Sequence, residues 1–127
     1  MLWIEKKRFL SVILTLLIAI EIFWISSLPG TKGQTEIPFV AVTYHLCVFF
    51  LFGFFLFFSF KGKNEPSGKH FIFSILFSLA YAISDELHQS FVPLRDASSG
   101  DILTDFIGMG FSIIVAFLMS KKSNRQA

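Results

Sequence analysis

Residues 48–60 read VFFLFGFFLFFSF. No charged side chain interrupts the run. Together with the residues back to Pro38 it makes an apolar stretch longer than the about 20 residues a helix needs to cross roughly 30 Å of hydrocarbon. The phenylalanines read as lipid-facing and core-packing side chains, not as a cofactor box, and Gly53 as a packing notch. This is a membrane helix, and the chain on either side of it repeats the pattern.

Downstream, residues 61–69 (KGKNEPSGK) hold Gly, Pro, Lys61, Lys63 and Lys69 and read as a solvated loop. A third apolar segment follows over 70–89 and a fourth over 102–120. Residues 90–100 connect them, with Pro93 and a Ser-Ser-Gly tip. Upstream, 9–28 is the first segment, ended by Ser26-Ser27-Leu28-Pro29-Gly30, and 31–37 is a short polar loop. A basic start followed by an apolar run also suits a signal peptide. This run is too long for one, carries Glu21 and lacks an A-x-A cleavage site, so it reads as a retained helix.

Composition agrees. Of 127 residues, 54% are hydrophobic and 16% charged, and Phe occurs 18 times. Soluble domains average about 45–50% apolar and about 25% charged, so this chain sits in the membrane class, as one domain over 1–127. The single Cys47 excludes an internal disulfide, and no basic patch interleaved with exposed aromatics suggests nucleic acid. The fold expected is all-α: an integral membrane four-helix bundle.

Its orientation follows from the cations. Lys6, Lys7, Arg8, Lys61, Lys63, Lys69, Lys121, Lys122 and Arg125 lie on one side of an alternating four-span chain, and only Lys32 and Arg95 on the other. By the positive-inside rule the first side is cytoplasmic, with both termini there. A three-span chain would put the two basic ends on opposite faces.

Residues 81–105 (YAISDELHQSFVPLRDASSGDILTD) then fall at the outer face, which also collects Ser26 and Ser27 from the first segment and Tyr44 and His45 from the second. At 100° per residue, Ser74, Ser78, Tyr81, Asp85, His88 and Gln89 share one face, with Glu86 beside it. Asp101, Asp105, Gly108 and Ser112 form a second stripe. An ionisable group facing lipid costs about 2.5–3.5 kcal/mol at mid-membrane by insertion scales, so the stripes are expected to face each other or a wet mouth.

Each residue has a plainer role to set beside a functional one. Asp101 suits a helix cap or first turn. Arg95 suits lipid phosphate or a pair with Asp96. His45 suits an interfacial side chain with one hydrogen bond, and Glu21 a snorkelling acid or the partner of a cation. Trp24, Tyr44 and Phe91 suit an interfacial aromatic belt. An Asp-Glu-x-His-Gln cluster, an arginine six residues on and two Asp at i, i+4 exceed what capping requires.

These residues resemble the VanZ-like family of small bacterial membrane proteins. The resemblance spans about 22–113 and rests on 25–29 (ISSLP), His45 with its aromatic run, 84–95 (SDELHQSFVPLR), and 101–105 (DILTD) with Gly108. It maps the family's Glu-x-x-Gln pair to Glu86 and Gln89, its arginine after proline to Arg95 and its acid of the last helix to Asp101. The chain departs where the family often has Gly, at Leu94, which implies a less tight turn before Arg95. It departs again at Asp105, where an amide is usual, at Leu28 in place of a Gln, and in lacking a Lys ahead of His45. The resemblance implies the bacterial cytoplasmic membrane and a link to glycopeptide (teicoplanin-type) resistance. It implies no established reaction.

Two readings of function stand side by side. In the first, the protein binds or modifies an envelope lipid or lipid-linked wall precursor at the outer leaflet. Glu86, His88, Asp105 and His45 are its catalytic candidates, and Arg95, Gln89, Ser26, Ser27, Asp85 and Asp101 its binding residues. Arg95 would hold a phosphate, His45 or His88 would move a proton, and Glu86 with Asp101 or Asp105 would act as base or hold a divalent cation. In the second, the cluster is a hydrogen-bond network inside a non-catalytic scaffold. A channel is the weaker third, because the polar stripes fade toward the cytoplasmic side. No HExxH spacing and no serine or cysteine nucleophile arrangement is present.

Overall fold

Helix ends in this chain fall where breakers and caps stand in its sequence. In the computed structural model, which describes residues 3–30, 38–95 and 97–125, a short α1 (Trp3–Lys6) leads into α2 (Arg8–Ser26), α3 (Pro38–Lys61), α4 (Gly68–Gln89) and α5 (Ser99–Arg125). The last four are each long and apolar enough to cross a membrane. α2 stops at Ser26, because the residue before Pro29 is driven from helical geometry. α5 starts at Ser99, earlier than the expected Ile102, because Ser98 caps it: the Ser98 hydroxyl accepts the Gly100 N–H at 3.1 Å. It runs past Ser120 to Arg125, with Lys122 and Arg125 beside its C-terminal carbonyls.

The helices form a bundle in which α3 packs most extensively against α5 and also against α2 and α4. α4 packs on α5 and more lightly on α2. Among the described residues α2 and α5 do not pack on each other. Two glycines set the close α3–α5 approach. A Cβ on Gly53 would stand 3.0 Å from the Met109 carbonyl oxygen, and one on Gly108 would stand 2.8 Å from that of Leu46.

The burial pattern is that of a chain solvated by lipid. Ser11, Thr15, Ser59, Ser74, Ser78, Asp105, Ser112 and Ser120 are buried, while Leu16, Leu17, Ile20, Phe73, Phe77, Ile107, Phe111 and Leu118 are exposed. Water would reverse that order; hydrocarbon does not. The Phe run divides as its helical period dictates: Phe49, Phe52, Phe57 and Phe58 are buried in two adjoining clusters with Ile22, Met109 and Ile113. Phe50, Phe54 and Phe55 are partly exposed.

The two ends of the bundle differ. At one, Arg8 Nε donates to the Ser59 carbonyl at 3.0 Å and Asn124 donates to Glu65. The expectation of a wholly solvated 61–69 loop is corrected here. Lys63, Asn64 and Glu65 are exposed, but Lys61 and Gly62 are buried. The loop turns at Gly62 with φ +54 and the Arg8 side chain lies over it, which seals the last turn of α3. The other end gathers the polar side chains.

Candidate functional site

The end of α2, the first turns of α3, the last turn of α4 and the first turns of α5 meet at this second end. The turns between them are locked together. Leu94 takes the left-handed conformation, φ +61, so that the Pro93 carbonyl accepts the Gly30 N–H at 3.1 Å. Gly30 is required there, since a Cβ would sit 1.8 Å from the Leu94 carbonyl oxygen. The less tight turn expected at Leu94 does not appear. The chain forms the turn with a leucine in a backbone region that favours glycine.

Part of the polar cluster closes the end of α2. Arg95 Nη2 donates to the Ile25 carbonyl at 2.7 Å and Arg95 Nε to that of Leu28 at 3.0 Å. Carbonyls in the last turn of a helix lack intrahelical partners, and a guanidinium is a strong cap for them. Gln89 Nε2 spends its two hydrogens on Ser26 Oγ at 3.2 Å and Asp85 Oδ2 at 3.0 Å. His88 stacks on Phe23, centroids 4.6 Å apart, with Nε2 2.9 Å from Ser27 Oγ. The Ser27 hydroxyl already donates to the Phe23 carbonyl at 2.7 Å, so Nε2 is the donor and the tautomer of His88 follows.

The rest of the cluster is different in kind. His45 Nδ1 lies 2.7 Å from Asp105 Oδ1, with Asp105 fully buried. A carboxylate on Nδ1 fixes the imidazole's orientation and leaves Nε2 as the proton-handling atom. Glu86 Oε1 accepts the backbone N–H of Ser98, which ties the last turn of α4 to the cap of α5. The second oxygens of both acids, Glu86 Oε2 and Asp105 Oδ2, are buried with no hydrogen-bond partner among the described residues. Such an atom costs about 1–3 kcal/mol, more when charged, so two together call for a ligand, a proton or water. The charges of Asp85, Asp101 and Asp105 all act on Glu86.

The structure thus sorts the residues expected in the site. Glu86 and Asp105 form its buried part, with His45 half-buried on Asp105, and Asp85 and Gln89 are buried beside them. Asp101 stands in the first turn of α5, half-buried. Ser26, Ser27, His88 and Arg95 serve the α2 end. The pair expected between Arg95 and Asp96 involves a residue outside those described. Glu21, expected to snorkel or pair with a cation, accepts the Tyr44 hydroxyl at 3.0 Å. Among the described residues no three His, Cys, Asp or Glu side chains are grouped to hold a metal ion. Sequence reasoning missed Ser98, although Ser-Ser-Gly ahead of an acid is a helix-start signal.

The family model described as VanZ/LLP1 matches residues 11–120. No curated protein and no solved structure matches the chain.

Proposed function

Because the chain belongs to the VanZ/LLP1 family and carries several membrane-spanning helices, we propose that it binds an envelope lipid or lipid-linked wall precursor at the outer leaflet. Glu86, His45 and Asp105 are the contact residues. One observation carries this reading: Glu86 Oε2 and Asp105 Oδ2 are buried at one end of the bundle without partners among the described residues. His45, oriented by Asp105, is the proton carrier of the group if the bound lipid is also modified. The positive-inside argument supports an extracytoplasmic polar end, with both termini cytoplasmic. The family resemblance supports an effect on glycopeptide, teicoplanin-type, susceptibility. Purified protein in nanodiscs tests the proposal against phospholipids and polyprenyl phosphates, with and without Mg²⁺ or Mn²⁺. Binding that Glu86→Gln and Asp105→Asn weaken is the expected result. No binding and no turnover with any of these lipids overturns it.

A second reading, a scaffold without catalysis, draws on a separate observation: Arg95, Gln89 and His88 all spend donors at the end of α2. It expects Glu86→Gln to preserve the susceptibility phenotype and Glu86→Ala to lower protein abundance. Loss of phenotype in Glu86→Gln at normal abundance decides against it.

A further inference from the structure

Two apolar grooves open side by side on the bundle surface. One, about 470 Å³, lies between α3 and α5 and is lined by Leu46, Phe50, Ile107, Gly108 and Phe111. The other, about 410 Å³, lies between α2 and α3, lined by Leu14, Leu17, Ile18 and Val48, with Glu21 and Tyr44 also on its wall. Cys47 and Leu51, one turn apart on α3, line both and form the ridge between them. The grooves follow the same stretch of α3, 44–51, about 10 Å of helix. Within hydrocarbon a groove left empty forfeits dispersion contacts, so lipid chains fill it.

Both grooves lead to the polar end. The first reaches Leu46, which follows His45, and Gly108, one turn below Asp105. The second reaches the Tyr44–Glu21 hydrogen bond. The Tyr44 and His45 rings meet edge to face, centroids 5.8 Å apart, so the two polar ends are adjacent. Two parallel grooves with adjoining polar ends match two chains on one headgroup.

Among the described residues the charge at that end is one-sided. Glu21, Asp85, Glu86, Asp101 and Asp105 gather there. Among the described residues Arg95 is the cation at this end, and it already donates to the Ile25 and Leu28 carbonyls. The two unpartnered carboxylate oxygens are hydrogen-bond acceptors, and a primary ammonium brings three donors.

Resting on the reading that this end binds a lipid, we infer that the ligand class is a two-chain lipid with a primary-amine headgroup. Its chains part around Cys47 and Leu51, and its ammonium meets the carboxylates of Glu86 and Asp105.

The test uses the full chain, delipidated in detergent, with five probes: dioleoyl phosphatidylethanolamine, its phosphatidylglycerol and phosphatidylcholine counterparts, lysophosphatidylethanolamine and undecaprenyl phosphate. Retention is read by native mass spectrometry, and groove occupancy by the alkylation rate of Cys47, the only cysteine. The ethanolamine lipid is expected to be retained and to slow alkylation, the glycerol and choline lipids much less, and the one-chain lipid in between. Glu86→Gln and Asp105→Asn each weaken its retention about tenfold or more, the loss of one charge-assisted hydrogen bond. Leu51→Trp, at an exposed position, lowers retention with thermal unfolding unchanged. Equal retention of the glycerol lipid, or no effect of either acid variant, overturns the headgroup assignment. No effect of Leu51→Trp overturns the chain assignment. Retention of undecaprenyl phosphate alone overturns this inference and leaves the proposed function standing. Retention of none of the five overturns both.

Discussion

Arg95 Nη2 sits 2.7 Å from the carbonyl oxygen of Ile25, 70 residues earlier in the chain. With Nε on the Leu28 carbonyl, the guanidinium joins the turn after α4 to the end of α2. Replacing it with alanine removes both bonds: the Leu28 carbonyl loses this donor, while that of Ile25 keeps the Leu28 N–H at 3.2 Å. Arg95→Ala is therefore expected to destabilise by about 1–3 kcal/mol, and Arg95→Lys by less, since an ammonium keeps the charge and can donate to one carbonyl but lacks the planar fork that reaches both. Thermal unfolding in detergent, followed by circular dichroism, measures both. Unchanged unfolding in the alanine variant would rule out the capping role.

Leu94 holds φ +61, a region that costs a residue with a Cβ about 1–2 kcal/mol. Leu94→Gly removes that cost and gives back part of it as unfolded-chain entropy. The expected outcome is a gain of about 1 kcal/mol or less in the same melt. A clear loss would mean that the leucine side chain contributes more than its backbone costs.

The α3–α5 seam depends on missing side chains. A Cβ on Gly53 would meet Ser112 Oγ at 2.5 Å and the Met109 carbonyl oxygen at 3.0 Å, whereas one on Gly110 meets nothing within 4 Å. Gly53→Ala should cost about 1–3 kcal/mol as an overpacked interface. Gly110→Ala should be neutral or stabilising by up to about 1 kcal/mol from helix propensity. Equal effects in the two variants would remove the steric account.

Sidedness is open to direct chemistry. In a Cys47→Ser background, a cysteine at exposed Ala97 is expected to react with a membrane-impermeant maleimide in intact cells. Labelling only after the membrane is opened would invert the orientation argued from the lysines.

What the sequence could reveal follows the range of each signal. Local signals sufficed for the helices: the breakers at Pro29 and Gly30 and the lysine-rich loops place the apolar segments close to the observed helices. Helical spacing also sufficed for Ser74, Ser78, Asp85 and Gln89 on α4 and for Asp105, Gly108 and Ser112 on α5, all buried as their shared faces require. It failed at the last turn of α4. Glu86, set beside the interior face by its angle, is buried, and His88, set on that face, is only half-buried. The cause is not helical. The chain entering α5 crosses over Glu86 and supplies the Ser98 N–H, while α2 supplies Phe23 and Ser27 to His88. Partners 61 residues apart, as for His88 and Ser27, leave no periodicity to read. Arg95 shows the same limit: the sequence marks it as an anion-binding or interfacial cation, and tertiary structure gives it helix carbonyls.

The His45–Asp105 pair also bears on how the protein is made. Its two members stand 60 residues apart, His45 on α3 and Asp105 on α5, which is synthesised after it. A carboxylate that is costly to place in lipid thus belongs to the later of the two segments, and the imidazole that receives it to the earlier. Chain order alone therefore puts the partner ahead of the acid, and a chain whose α3 lacks His45 would bring Asp105 into the bilayer without that partner.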